Sequence, residues 1–339
     1  MITSATIQDF TVFRSTFFEF VPGINVLIGA NASGKTHLLK LLYSIQKSQY
    51  ECREVRRTTD FAHQLNGVFR PESISNVIRS SAGFASVAPS WNLKQFRGNI
   101  ISDGKSISFS DNAVQWPDCT LPVLIPVKDM LAHSVGFISL YDQRNIDFDQ
   151  THRDILSFAS TPTLRDIPAS GADNPLEILA KALDATVQVQ GERFYLDGKH
   201  GRFEMHMVAE GFRKLALLYQ LIANGSVGPG TVLYWDEPET NLNPSLMDEL
   251  IHVLLILARQ GTQIFLATHD YIILKELELQ KEKSDELRFF AMARNPKDGS
   301  VTPHPADTYS ELKPNLIAEQ FDRIYDLQIK RSLGSVDAK

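Results

Sequence analysis

The stretch Gly29-Ala-Asn-Ala-Ser-Gly-Lys-Thr36 fits the pattern G-x-x-x-x-G-K-[ST] of a phosphate-binding P-loop. Its flanks are those that such a loop requires. The apolar run Ile24-Asn-Val-Leu-Ile28 predicts a buried strand before it, and residues 36–43 predict an apolar helix after it. Glycines at positions 29 and 34 let the backbone N–H groups form a concave anion cradle, to which the helix adds its positive end. The stretch therefore predicts a nucleotide-binding α/β fold.

Two side chains of this loop carry chemistry of their own. Lys35 supplies an ammonium for the β and γ phosphates, and the hydroxyl of Thr36 can bind Mg²⁺, a hard ion that keeps most of its waters. The predicted nucleotide-binding residues are Gly29, Ala30, Asn31, Ala32, Ser33, Gly34, Lys35, Thr36 and His37.

A second stretch, Val232-Leu-Tyr-Trp-Asp-Glu-Pro-Glu239, is an apolar strand that ends in acidic residues. Asp236, at the carboxyl end of a buried parallel strand, is placed to hold Mg²⁺ through its water shell. Glu237 follows it and is placed to accept a proton from the water that attacks the γ phosphate, which is the role of a general base. We therefore predict Thr36 and Asp236 as the metal-binding residues.

The next apolar run, residues 263–268, predicts a neighbouring strand that ends at His269. A histidine at this position can face the same crevice and stabilise the γ phosphate. The predicted catalytic residues are Glu237, His269 and Lys35.

Composition restricts the class of protein but not its partner. The chain has 339 residues, of which 43% are hydrophobic, so it can bury a large core. Its net charge of −6 gives no overall basic field for nucleic acid. Only Cys52 and Cys119 are present, without companions at metal-binding spacing, which favours a reducing compartment and a cytoplasmic protein. No stretch is apolar and long enough to predict a membrane span.

The order of the predicted elements indicates more than one sheet. Three strands precede the P-loop, short alternating segments in residues 60–120 indicate antiparallel hairpins, and residues 127–133 are expected to be helical. From residue 205 onward, helices alternate with apolar strands, which is the pattern of a parallel sheet with helices on both faces.

With these motifs in place, the chain resembles the ABC-type P-loop ATPases of the SMC, RecF and OLD (overcoming lysogenisation defect) branch. It is most similar to small stand-alone bacterial "AAA family" (AAA_21-like) ATPases. The likeness is strong over residues 1–48 and 205–295 and looser over 121–160. It implies an ABC-type mixed sheet with helices on both faces, an antiparallel β lobe and a helical insertion, and it implies ATP and Mg²⁺ as cofactors.

The resemblance also assigns segments that the residues alone do not. Residues 29–36 correspond to Walker A, residues 234–237 end Walker B, and His269 corresponds to the switch histidine. Ala209, Glu210 and Gly211 correspond to the signature motif, which in the family contacts the γ phosphate bound to a second subunit. Asn241 and Asn243 correspond to D-loop residues, and Phe13 and Arg14 are candidates for adenine and ribose contacts.

This chain departs from the family at three positions. Ala209 replaces the usual serine of the signature, Asn243 replaces the aspartate that often ends the D-loop, and Lys128 and Asp129 stand where a Q-loop glutamine is expected. The sequence therefore predicts nucleotide binding more firmly than metal-coupled switching.

We expect one ABC-type domain over residues 1–339. Its nucleotide-binding core would comprise residues 1–48 and 205–310, its β lobe and helical insertion residues 49–204, and its C-terminal helix and tail residues 311–339. Arg53, Arg56 and Arg57 are candidate contacts for a partner, although a solvated helix surface explains them as well.

Several functions fit this architecture. The first is a homodimer closed around ATP that controls a separately encoded effector in anti-phage defence or a toxin–antitoxin pair. The others are a DNA-maintenance clamp of the RecF or SMC kind, the nucleotide-binding subunit of a membrane transporter, and a nucleotide-gated scaffold without turnover. DNA is thus a candidate partner, and insertion of this chain into a membrane is not expected.

Overall fold

The computed structural model describes residues 1–52, 61–79, 82–102, 107–111, 116, 118–144, 146–164 and 174–332. The candidate contacts Arg53, Arg56 and Arg57 lie outside the described residues, as does the predicted tail after residue 332.

The first three strands confirm the three strands that were predicted before the P-loop. All described strands are given next in chain order. They are β1 (Ile2–Phe10), β2 (Phe13–Glu19), β3 (Ile24–Ile28), β4 (Phe84–Trp91), β5 (Lys94–Gln95), β6 (Gly98–Ser102), β7 (Ile107–Asp111), β8 (Pro122–Ile125), β9 (Ala185–Gln190), β10 (Arg193–Gly198), β11 (Gly201–Glu204), β12 (Val232–Asp236), β13 (Gln263–Thr268), β14 (Leu287–Arg294) and β15 (Val301–Ala306).

The helices include one that starts at the P-loop lysine and one that starts in the signature segment. They are α1 (Lys35–Cys52), α2 (Phe61–Phe69), α3 (Phe137–Gln143), α4 (Gln150–Ala159), α5 (Pro175–Leu183), α6 (Glu210–Ala223), α7 (Met247–Arg259), α8 (Tyr271–Gln280) and α9 (Leu316–Ser332).

The core sheet has the strand order β15-β14-β3-β13-β12-β8. Strands β8, β12, β13, β3 and β14 are parallel, and β15 is antiparallel to β14, so the sheet is mixed. In this register Asp236 pairs with Ala267, and Thr268 pairs with Ile28. The loops that follow these three strands therefore leave the sheet at one edge, which we call the carboxyl edge.

Two smaller sheets complete the α/β fold. Strands β2, β1, β4, β6 and β7 form an antiparallel sheet to which β5 adds at β4, and β9, β10 and β11 form a three-stranded antiparallel sheet. The predicted antiparallel lobe is confirmed. The sheets do not follow the expected domain ranges, because β1 and β2 belong to the lobe whereas β8 belongs to the core sheet.

Buried side chains form one hydrophobic cluster on each face of the core sheet. On one face Leu38 of α1 and Phe265 of β13 share a cluster with Phe18 of the antiparallel sheet. On the other face Leu215 of α6 and Leu254 of α7 pack with the opposite side chains of β12 and β13. Helices on both faces are thus confirmed, and α1 shares its face with the lobe.

A polar seam joins α1 to α4. Tyr43 donates a hydrogen bond to Asp154 over 2.8 Å, and Lys47 forms an ion pair with the same carboxylate. One turn nearer the P-loop, Lys40 lies 2.6 Å from Asp149, whose side chain also caps α4 by accepting from the N–H of Thr151. The helix that begins at the P-loop is therefore held from the side by charges.

One predicted helix is wrong. Within residues 127–133 only Leu131–His133 form a 3-10 turn. The side chain of Asp129 accepts a hydrogen bond from the N–H of Leu131 over 3.1 Å, and such local bonds compete with helix formation.

Candidate nucleotide site at the carboxyl edge

The P-loop connects β3 to α1 and forms the floor of a cleft of about 380 Å³. Gly34 has φ +84°, and a Cβ there would lie 2.5 Å from Cγ2 of Val12, so the turn requires glycine. Asn31, Ala32 and the residues up to His37 line the cleft together with Val12 and Glu237. The loop thus presents backbone N–H groups and a helix start to a concave space.

Lys35 is folded over its own loop. Its Nζ donates to the carbonyl oxygens of Gly29 over 2.7 Å and Ala30 over 3.2 Å. Burial lowers the pKa of Lys35, and the nearby carboxylates of Glu237 and Asp236 oppose that shift. The ammonium is therefore close to the acids of the carboxyl edge.

Thr36 and Asp236 meet across the edge. The hydroxyl of Thr36 donates to Oδ2 of Asp236 over 2.8 Å. Asp236 is buried, and its Oδ1 has no hydrogen-bond partner in the described structure. Burial raises the pKa of Asp236 to about 6, against the hydrogen bond from Thr36.

These oxygen atoms fit a magnesium ion. Mg²⁺ in nucleotide sites takes one or two protein oxygens and fills its shell with phosphate oxygens and water, and an unpartnered carboxylate oxygen beside a hydroxyl meets that need. Among the described residues, no three His, Cys, Asp or Glu side chains converge as a metal cluster.

Glu237 directs its side chain into the cleft from a constrained backbone. Its φ is +47°, which a residue with a Cβ adopts at a cost. Its N–H donates to the carbonyl of Ala267 over 2.8 Å, and its own carbonyl accepts from Nζ of Lys214 over 3.0 Å. The main chain is thus fixed on both sides of the carboxylate.

His269 follows β13 and meets the acids, as the strand order predicts. Its Nδ1 lies 3.3 Å from Oε1 of Glu237 and 3.4 Å from Oε1 of Glu239, and its side chain is about half exposed. The imidazole therefore joins the cleft to a buried carboxylate.

Sequence reasoning did not assign Glu239. Its Oε1 accepts from the hydroxyl of Thr268 over 2.8 Å and from the N–H of His269 over 3.1 Å, and burial raises its pKa. These bonds fix the end of β13. The second glutamate of Asp236-Glu-Pro-Glu239 was the only indication in the sequence.

The segment predicted as the signature lies beside the segment predicted as the D-loop. Ala209 precedes α6, and a Cβ on the buried Gly211 would lie 2.5 Å from the carbonyl oxygen of Asn241. Asn243 caps the next turn by accepting from the N–H of Ser245 over 3.0 Å. None of Ala209, Glu210 and Gly211 is among the described residues that line the P-loop cleft.

Two basic residues of α6 are buried or paired. Lys214, which reaches the carbonyl of Glu237, is 2% exposed. Nε of Arg213 lies 2.7 Å from Oδ2 of Asp129, at the place expected for the Q-loop. Sequence reasoning missed both contacts because they depend on how α6 crosses the sheet.

Phe13, Arg14 and His37 were also predicted to contact the nucleotide, and each lies in different surroundings. Phe13 is fully buried and packs edge-on against Phe18, with ring centroids 5.9 Å apart, so its ring offers no face to adenine. Arg14 is exposed and lies 3.4 Å from Asp298. His37 lines the cleft, and its buried Nδ1 has no hydrogen-bond partner among the described residues.

One family model matches more than half of the chain. The family model described as "AAA domain, putative AbiEii toxin, Type IV TA system" (AAA_21) matches residues 24–90 and 123–275. A search of curated proteins gave no match.

Two solved SMC heads match the fold over almost the whole chain. An SMC head bound to the C-terminal winged-helix domain of ScpA matches with TM-score 0.58 and 14% identity, covering 91% of this chain and 98% of that one. The SMC head with an extended coiled coil, bound to the C-terminal domain of ScpA and derived from Pyrococcus furiosus, gives TM-score 0.54 and 12% identity over 96% and 99%. A RecF recombination mediator bound to ATPrS gives TM-score 0.45 and 14% identity over 89% and 98%.

Proposed function

Because the chain belongs to the AAA_21 family of P-loop ATPases, whose description names type IV toxin–antitoxin systems, we propose that it is an ATP-driven switch that controls a separately encoded effector. Mg-ATP binds at the carboxyl edge of one copy, and Ala209, Glu210 and Gly211 of a second copy complete the site. The resulting homodimer is closed around ATP and acts in anti-phage defence or toxin–antitoxin control.

The observation that carries this proposal is the composition of the cleft. The P-loop, Thr36 and Glu237 line the cleft, and Asp236 is joined to it through its hydrogen bond with Thr36. Among the described residues that line the cleft, none is Ala209, Glu210 or Gly211. A site that has a metal-binding pair, a base and the P-loop lysine, but to which the signature segment of the same chain contributes no residue, fits one half of a composite site.

The chain's own residues have separate tasks in hydrolysis. Lys35 and the loop N–H groups bind the phosphates, and Thr36 with Asp236 would hold Mg²⁺, which neutralises phosphate charge when it is bound. Glu237 accepts the proton of the attacking water, and His269 stabilises the charge that develops on the γ phosphate. The α6 segment of the partner adds N–H groups to the same phosphate.

Complementation between two inactive variants tests the composite site. Lys35→Ala removes phosphate binding, and Ala209→Glu places a negative charge where the signature meets the partner's phosphate. Each variant alone is expected to lose hydrolysis. A mixture regains part of it, because a mixed dimer contains one site with an intact P-loop and an intact signature.

Ala209→Ser is the matched control, since it restores the family's usual residue and should keep hydrolysis. If the mixture stays inactive although both variants fold, the nucleotide site is not built from two copies. For the effector, co-expression with the neighbouring open reading frame should recover a complex whose stability depends on ATP. A complex that is equally stable with and without ATP would contradict the proposed ATP-driven switch.

A further inference from the structure

Glu239 is a buried acid that is not among the described residues lining the P-loop cleft. Its side chain is 7% exposed, and its Oε2 has no hydrogen-bond partner in the described part of the chain. An unpartnered carboxylate oxygen is costly to bury, which marks Glu239 as more than a packing residue. Burial lowers the pKa of Lys214, and among the charges that oppose this shift Glu239 is the largest. The buried ammonium and the buried carboxylate therefore stabilise each other's charge.

His269 faces Glu239 with two nitrogen atoms. Its backbone N–H donates to Oε1 of Glu239 over 3.1 Å, and its ring nitrogen Nδ1 lies 3.4 Å from the same oxygen. The hydroxyl of Thr268 donates to that oxygen over 2.8 Å. Oε1 of Glu239 is thus fixed by the end of β13, and a small rotation of the ring suffices to bring Nδ1 to ordinary hydrogen-bond length.

The same ring nitrogen also faces the proposed base. Nδ1 of His269 lies 3.3 Å from Oε1 of Glu237. Because ionised carboxylates only accept hydrogen bonds, Nδ1 carries its proton toward the two glutamates, and one N–H cannot make a full hydrogen bond to both. Both distances are longer than the usual limit of about 3.2 Å, which fits a proton that is shared between two acceptors.

Sharing matters for Glu237 because both of its oxygens have partners. Oε2 accepts a hydrogen bond from the hydroxyl of Thr240 over 3.2 Å, and Oε1 faces Nδ1 of His269. The attacking water has to donate to the same carboxylate, so a hydrogen bond from His269 competes with it. The base therefore needs a second acceptor that takes the imidazole away from it.

We propose that Glu239 is a positioning residue that draws the Nδ1 hydrogen bond of His269 away from Glu237 when ATP is hydrolysed. Glu239 is buried and held by the end of β13, whereas the side chain of Glu237 is 27% exposed and can follow the water. The inference rests on the proposed function, since a base has to be released only in a chain that hydrolyses ATP. It adds a group that acts on the base only through His269.

Glu239→Gln tests this role, because the amide keeps the size and one acceptor oxygen but loses the charge that makes the stronger bond. The Nδ1–H of His269 should then stay with Glu237, and kcat for ATP hydrolysis should fall about tenfold with unchanged KM. Glu249→Gln is the matched control on α7, since Glu249 also buries an Oε2 without a hydrogen-bond partner among the described residues. The control should hydrolyse ATP as the wild type does.

A double-mutant cycle with His269→Gln separates positioning from a structural role. In the His269→Gln background the ring is gone, so Glu239→Gln should change the residual kcat by less than about twofold. An equal loss in both backgrounds, or an increase in KM with unchanged kcat, overturns the proposal. Thr268→Val is a second, milder variant that removes one bond to Oε1 of Glu239, and it should lower kcat about threefold only when His269 is present.

NMR of the imidazole nitrogens in the nucleotide-free full chain, labelled at histidine, tests the shared proton without turnover. The signal of His269 is the one that His269→Gln removes. Glu237→Gln and Glu239→Gln should each shift this signal, because each removes one charged acceptor of the same N–H, whereas Glu249→Gln should not. A signal that responds to only one of the two glutamates shows an unshared proton and overturns the proposal.

Failure of this role is distinct from failure of the proposed function. A wild-type chain that hydrolyses ATP, with Glu239→Gln keeping its kcat, overturns the role of Glu239 alone. A wild-type chain that does not hydrolyse ATP overturns the proposed function and this role together. The complementation of mixed variants changes only Lys35 and Ala209, so its outcome does not depend on Glu239.

Discussion

The carboxyl edge and the two cations Arg213 and Lys214 of α6 differ in what their polar atoms contact. At the edge, Oδ1 of Asp236 and Oγ of Ser33 are buried and have no hydrogen-bond partner among the described residues, although each lies beside the cleft. In α6, Lys214 reaches the carbonyl of Glu237, and Arg213 pairs with Asp129. Because an unpartnered buried oxygen is costly, the edge is built for a ligand, whereas the cations of α6 hold parts of the chain together.

The largest effect is expected at the edge, from Glu237→Gln. Removing the proton acceptor should lower kcat for ATP hydrolysis about 10²- to 10⁴-fold and leave ATP affinity nearly unchanged. Steady-state phosphate release and equilibrium nucleotide binding measure the two quantities. The variant should also accumulate as an ATP-bound dimer. Hydrolysis at the wild-type rate would remove Glu237 as the base.

Lys35→Ala should weaken ATP binding about a hundredfold, because it removes the charged donor to the phosphates. Equilibrium binding of a fluorescent ATP analogue measures the loss. Lys94→Ala, an exposed lysine in β5, is the control and should bind as the wild type does. Equal affinity in both variants would show that the cleft does not bind phosphate through Lys35.

Lys214→Met tests whether α6 positions the base. Loss of the bond to the carbonyl of Glu237 should lower kcat about tenfold with little change in KM, since ATP itself is not contacted. Lys181→Met, at a solvated position in α5, is the control. A change in unfolding free energy with unchanged kcat would make Lys214 purely structural.

Gly211→Ala should separate α6 from the D-loop, because its Cβ would meet the carbonyl of Asn241. Crowding of this kind costs about 1 to 3 kcal/mol of unfolding free energy, which chemical denaturation measures. Gly228→Ala is the control, since a Cβ there meets nothing within 4 Å. Equal stability of the two variants would contradict the close contact.

The smallest effect concerns the seam behind the P-loop helix. Burial alone would raise the pKa of Asp149, but His152 and Lys40 outweigh it and hold that pKa well below its usual range. A depressed folded pKa contributes stability above the unfolded pKa of about 4, and this contribution is lost as the pH falls further. Asp149→Asn removes the charge that Lys40 and His152 contact, so it should cost about 1 kcal/mol at pH 7 and progressively less below pH 4. A difference independent of pH would contradict this linkage.

The sequence predicted the structure best where one motif determines both a backbone turn and a chemical function. Residues 29–36 and Asp236 predicted the core sheet and its carboxyl edge. A P-loop and an acid that ends an apolar strand can act together only when their parallel strands end at the same edge of one sheet. The arrangement that brings His269 to the acids followed from strand order alone.

Contacts between side chains of different helices and strands could not be predicted from the sequence. Phe13 looked available for adenine, yet it is buried in the cluster that the antiparallel sheet forms with α1, and nothing local in the sequence indicates that burial. In the sequence, Lys214 and Arg213 look like ordinary exposed charges of a helix. Their contacts with Glu237 and Asp129 are seen only in the folded structure. Glu239 likewise gains its partners only when β12 and β13 lie side by side.

The contact of Gly211 with Asn241 has a genetic consequence under the proposed dimer. Each copy would lend its α6 segment to the other's nucleotide while the same segment rests on its own D-loop. A defective signature in one copy would then impair the nucleotide site of its partner, whereas a defective P-loop would impair only the site of its own copy. Signature alleles should therefore act on a wild-type copy expressed in the same cell, whereas alleles that abolish dimerisation should be recessive.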